Sequence, residues 1–148
     1  MKILFVIVFA ALGLAFCGVA RDVEIKEGDC WTYATRPGEE GSFLVIRKIE
    51  TLPKVGEVVH ISVFGVKIKN AADRTGFTGE VAHLPVAGEN LRASLKDKVE
   101  KKVPDIAWKT GYGVWRKGFD AQRAGVFRKS VSECITYVEE SLNQPDKK

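Results

Sequence analysis

From Ser42 to Glu50 the chain reads SFLVIRKIE, apolar on both sides from Phe43 to Ile46 and alternating afterwards, as a strand central in its sheet would be. Val58 to Lys69 is a second strand. Val59, Ile61 and Val63 define one face, then Val66 and Ile68 take over in the opposite phase. Such a slip at Phe64-Gly65 predicts a β-bulge, with glycine where unusual dihedrals are needed. Cys30 to Ala34 is a shorter strand that divides Trp31 and Tyr33 from Cys30 and Thr32. Arg36-Pro37-Gly38 after it has proline and glycine in type II turn order. Asn70 to Gly76 is a polar loop, and Thr78 to Leu84 continues as a fourth strand.

Beyond Pro85 the period lengthens. Leu91, Leu95 and Val99 recur every fourth residue among helix formers, predicting a helix over 89–102 that Pro104 ends. A second helix is expected from Asp105 as N-cap. Along it Trp108, Tyr112, Trp115 and Phe119 fall within roughly 60° of one another on the helical wheel, a narrow aromatic stripe. Gly111, Gly113 and Gly118 weaken this helix by about 0.8–1.0 kcal/mol each, so packing must hold it. Gly125 closes it and Val126 to Arg128 reads as a short strand. Ser130-Val131-Ser132-Glu133 is a capping box opening a last helix over 131–142 with Val131, Ile135, Val138 and Leu142 inward. Strands followed by helices predict an α+β domain: an antiparallel sheet of four to five strands in the first half, with three helices packed on one face.

The N-terminus changes what the composition means. Met1-Lys2, an apolar run from Ile3 to Ala20 and a small-residue end at Gly18-Val19-Ala20 have the order of a secretory signal cleaved after Ala20. A retained membrane anchor and lipidation at Cys17 are the rival readings. Cleavage leaves residues 21–142 as a single globular domain and 143–148 as a flexible tail, with no stable membrane insertion, and places the protein in the periplasm or outside the cell. Of the 23 basic and 19 acidic residues in the full chain, only Lys2 is lost, and the remaining charge of +3 is too small and dispersed for nucleic acid. The three cysteines become two, Cys30 and Cys134, which in an oxidising compartment are expected to form one disulfide.

Candidate chemistry is sparse. His60 and His83 lie on predicted strands and meet if those strands are neighbours, but two imidazoles fall short of the three or four ligands a metal needs. No metal and no cofactor is therefore expected. The adjacent carboxylates Glu39-Glu40 and Glu139-Glu140 read as solvated surface, Gly111-Tyr112-Gly113 lacks the context of a phosphate loop, and no G-x-S-x-G elbow is present. Lys109, Arg116 and Arg123, spaced seven apart beside the aromatic stripe, and Arg74 with Phe77 at the polar loop, are the candidate contacts for a protein partner, expected to be acidic. In outline the chain resembles small periplasmic inhibitor and immunity proteins of bacteria, although no motif carries that likeness. A non-enzymatic, protein-binding role as an inhibitor or immunity-type protein is the leading expectation. The alternative is a small-molecule-binding protein or enzyme with a sheet-face site near His60 and His83.

Overall fold

The computed structural model describes residues 22–145. The expected signal segment, Cys17 and residues 146–148 lie outside the described residues. Five antiparallel strands form one sheet in the order β4-β3-β2-β1-β5. They are β1 (Cys30–Tyr33), β2 (Phe43–Leu52), β3 (Gly56–Lys69), β4 (Phe77–Ala87) and β5 (Leu95–Val99). The strand that is apolar on both sides, β2, takes the central place, because only there does each of its faces meet a covered layer. The α+β class is as expected.

The β3 phase slip is a bulge. Register with β4 shifts between Phe64 and Ile68, and Gly65 sits at φ +77° with its backbone against Ser42. Val59, Ile61 and Val63 before the bulge, and Val66 and Ile68 after it, therefore point into the same core. The turn at Arg36-Pro37-Gly38 closes as predicted, with the Glu39 amide donating to the Arg36 carbonyl at 3.1 Å and Gly38 at φ +85°.

Three helices follow: α1 (Gly88–Ser94), α2 (Trp108–Asp120) and α3 (Val131–Leu142). The last has the predicted bounds, and Ser130 and Glu133 form its capping box. Asn143, assigned to the tail, is tied down: its side-chain amide donates to the Lys69 carbonyl at 2.7 Å.

Several expectations need correction. The helix predicted over 89–102 ends at Ser94 and continues as β5, paired with β1 through Tyr33↔Leu95, Trp31↔Lys98 and Cys30↔Val99. A spacing of four fits a helix and a regular strand alike, and in β5 the register shift between Trp31 and Tyr33 then turns Leu95 to the main core and Val99 to the Cys30 cluster on the other face. The open edge of β1 decided between helix and strand. Helix α2 begins at Trp108, after Ala107 and without a side-chain cap, rather than at Asp105. The strand expected over 126–128 is a single parallel bridge between Phe127 and Val86.

The helices also divide between the faces. Leu91 of α1 and Val131, Cys134 and Ile135 of α3 join Leu44, Ile46 and Ile61 in the main core on the first face. Trp115 of α2 instead packs on Leu52 and Val58 on the second, so the expectation of one covered face fails for this helix. The reason is that even-numbered positions of β3 before the bulge are as dry as the odd ones: Val58, His60 and Ser62 are all buried.

The expected Cys30–Cys134 disulfide is absent. Both thiols are free and buried, Cys30 beside Val45 and Phe64 on the second face and Cys134 in the main core on the first. The sheet stands between them. Burial raises the Cys134 thiol to about 11 and pushes Cys30 upward as well, so neither is a ready nucleophile. Reducing agents are expected to leave the melting curve unchanged, and a fall in melting temperature on reduction would contradict the separation of the two thiols. Among the described residues, no helix is long and apolar enough to cross a membrane.

Candidate functional site

The second face carries an unusual row. Neighbouring strands β3 and β4 bring His60 and His83 together, with His60 Nδ1 and His83 Nε2 2.8 Å apart and the rings stacked at 15°. On the other side His60 Nε2 lies 2.8 Å from Glu50 Oε1 of β2. The result is a chain of three side chains crossing three strands.

The local fold explains why Glu50 reaches in. A register shift between Ile46 and Lys48 makes Arg47 an extra residue in β2, so Lys48 and Glu50 share the second face with His60 while Ile49 packs toward the main core. Three donors converge on the Glu50 carboxylate. Besides His60, the Tyr112 hydroxyl donates to Oε1 at 3.1 Å, and an Arg116 Nη1 stands 3.6 Å from Oε2.

The acceptor at one end orients every proton in the chain. A carboxylate accepts, so neutral His60 carries its hydrogen on Nε2 and leaves Nδ1 bare. That nitrogen accepts from His83 Nε2, which leaves His83 Nδ1 as the free lone pair. His60 is fully buried, whereas the His83 ring is half-buried. The chain meets solvent at His83.

Helix α2 roofs this chain with its aromatic stripe. Tyr112 and Trp115 meet His60 edge-on at centroid distances of 4.8 Å, and Trp115 stacks on Phe119 at 5.0 Å. Gly111 is what lets the helix settle so close. A Cβ there would lie 2.8 Å from His83 Cβ and 3.9 Å from its Nδ1. The glycine that weakens the isolated helix is thus required by the packing.

Burial sets the electrostatics. It holds His83 down to about 4, helped by the neighbouring His60, and lowers His60 despite Glu50 opposing the shift. Both rings are neutral at pH 7. In the unfolded chain His83 takes up a proton near the ordinary value of 6.5, so acid favours unfolding between that value and about 4. This contribution is whole above 6.5 and is lost as pH falls through the window. Discounted for the half-open ring, the loss is about 1–2 kcal/mol. Denaturant midpoints measured across the window should drop less in His83→Gln than in the native chain; equal profiles would contradict the assignment.

Among the described residues no group of three His, Cys, Asp or Glu side chains is arranged to hold an ion. Glu50, His60 and His83 follow one another in line, with both nitrogens of His60 already engaged.

The residues expected to bind a partner do not form one surface. Arg74 is exposed in the β3–β4 loop, and Phe77, half exposed at 51%, pairs with Lys69. Lys109 and Arg123 are exposed at and beyond opposite ends of α2. Trp115 of α2 packs on Val58, and Val58 and Lys69 stand roughly 30 Å apart along β3. Arg116 turns back to Asp120 at 3.1 Å and to Glu50. Glu50 itself escaped notice in the sequence, where a charged residue late in an alternating strand reads as solvent-facing. The usable signal was His60: an imidazole inside the run VVHISVF needs a buried polar partner.

Comparison with models of known protein families, with curated proteins and with solved structures finds no match. The site is therefore read from its own chemistry.

Proposed function

We propose that this protein binds a small molecule at the second face of the sheet, with His83 Nδ1 accepting a hydrogen bond from the ligand. The observation that carries this reading is the Glu50–His60–His83 chain, whose two 2.8 Å links leave one unpartnered nitrogen at a defined place. Glu50 fixes the tautomers, and His60 passes that orientation to His83 as a second imidazole. Cys30 and Cys134 are buried and Ser62 is committed to a backbone carbonyl. The arrangement suits binding and proton acceptance more than covalent catalysis.

Diethyl pyrocarbonate, which acylates unprotonated accessible imidazole nitrogens, tests this reading. Peptide mapping of the native chain should find His83 modified and His60 untouched. If His83 reacts only after unfolding, its free nitrogen is closed to ligands and the reading fails.

A second reading keeps the leading expectation from the sequence, an exported protein that acts as an inhibitor or immunity-type protein. The half-exposed Phe77 beside Arg74 at the β3–β4 loop favours it. A protein partner retained by the native chain but lost with Arg74→Glu and Phe77→Ser together would support it; retention indifferent to both changes would remove this surface. Export itself would show as an intact mass beginning at Arg21.

A further inference from the structure

We infer that Arg47 holds the carboxylate of the small molecule whose other end donates to His83, an assignment that rests on the proposed ligand site. Arg47 follows Val45 onto the second face by simple alternation past the core-facing Ile46, and the extra residue in β2 keeps Lys48 on that face as well. There the Arg47 Nε donates to Ser62 Oγ at 2.8 Å, and Ser62 Oγ donates to the carbonyl of Ala82, the residue before His83, at 2.7 Å. Ser62 is fully buried. Its neighbour on the same face of β3 is His60, so the guanidinium and the histidine pair occupy adjacent rungs, roughly 7 Å apart along the strand.

What sets Arg47 apart is what it lacks. Its Nη2 is closed off from solvent without a hydrogen-bond partner. By contrast Arg36 is paired with Glu39 and Glu139, Arg92 with Glu57, and Arg116 with Asp120 and Glu50. Among the described residues no carboxylate lies within ion-pair distance of Arg47. The guanidinium cannot shed its charge, and it rests over the Phe64 ring at 6.0 Å. With Nε tethered by Ser62, the Nη1–Nη2 edge remains, a planar fork that matches the two oxygens of a carboxylate. Val103 and Ile106, just before α2, pack against the Phe64 cluster. Asp105 between them acts on Arg47 as a distant negative charge, which a bound carboxylate supplants.

The ligand class is then a small carboxylic acid with a hydroxyl or N–H donor one strand rung away from the acid group. Acetate and 5-hydroxypentanoate are suitable probes, titrated into the full chain while the Arg47 Nε–H and His83 nitrogen resonances are followed by NMR, with chloride at matched ionic strength as control. A saturable Arg47 shift is expected with both acids. It should weaken about tenfold in Arg47→Lys, which keeps the charge and loses the fork, and tighten several-fold in Asp105→Asn. Ser62→Ala, which frees Nε, should weaken it as well. The hydroxy acid should bind more tightly than acetate and lose that advantage in His83→Gln. A response no larger than chloride gives, or unchanged in Arg47→Lys, overturns the assignment. Acylated His83 with a silent Arg47 sinks this inference alone, whereas a responsive Arg47 with unreactive His83 sinks the histidine reading and leaves an anion site.

Discussion

Replacing Trp115 by alanine is expected to destabilise the protein by about 3–5 kcal/mol, the range for removing a large buried aromatic. Trp115 is 8% exposed, packs with Leu52 and Val58, and donates from its indole nitrogen to the Gly125 carbonyl at 2.8 Å. It joins α2 to the second face, and α2 is otherwise poorly suited to be a helix. Three glycines lie along it and no side chain caps its start. Urea denaturation gives the size of the loss. Trp115→Phe, which keeps most of the ring contact and drops the N–H bond, should cost only about 1 kcal/mol. If alanine costs no more than phenylalanine, packing by this ring does not anchor the helix.

Glu50→Ala should remove about 3 kcal/mol, because it strips one acceptor from three donors rather than a side chain from water. His60 Nε2 and the Tyr112 hydroxyl lose their 2.8 and 3.1 Å partner, and His60 is fully buried. Arg116 loses less, since Asp120 still pairs with it. The same change removes the group that opposes the lowering of the His60 pKa, so His60 should titrate at still lower pH. A nitrogen-15 pH titration alongside denaturation reads both effects. Glu50→Gln, whose amide oxygen still accepts, should fall between native and alanine. Loss of stability without any change in the histidine nitrogens would mean that Glu50 does not set their tautomers.

The sequence revealed some elements and concealed others for identifiable reasons. Capping at Ser130 and the bulge at Gly65 are local, written in residues that touch one another along the chain, and both stand where the pattern put them. The segment 89–102 is different. The spacing of Leu91, Leu95 and Val99 suits a helical and an extended repeat alike, and pairing with β1 made the second half a strand, with a register shift that sends Leu95 and Val99 to opposite faces. The aromatic stripe of α2 was visible as a pattern, but its target was not, because nothing in a helix names the sheet face it will cover.

The candidate site divides the same way. His60 and His83 stand out by residue type, and their meeting requires β3 and β4 to pair in the observed register. Glu50 was hidden because one extra residue in β2 changes the face it occupies, and Arg47 because its value lies in a missing partner that only packing reveals. The disulfide expected from compartment and count failed on geometry, since the two cysteines lie on opposite faces of the sheet.

By itself, then, the sequence determined the α+β class, the central strand, the bulge and the capped last helix, since each rests on periodicity or hydrogen bonding between residues a few positions apart. Only the tertiary structure decided that Glu50, His60 and His83 form one chain under α2, and that Arg47 has no carboxylate beside it among the described residues. Those facts depend on strand order, register and face, which are set by packing between residues distant along the chain.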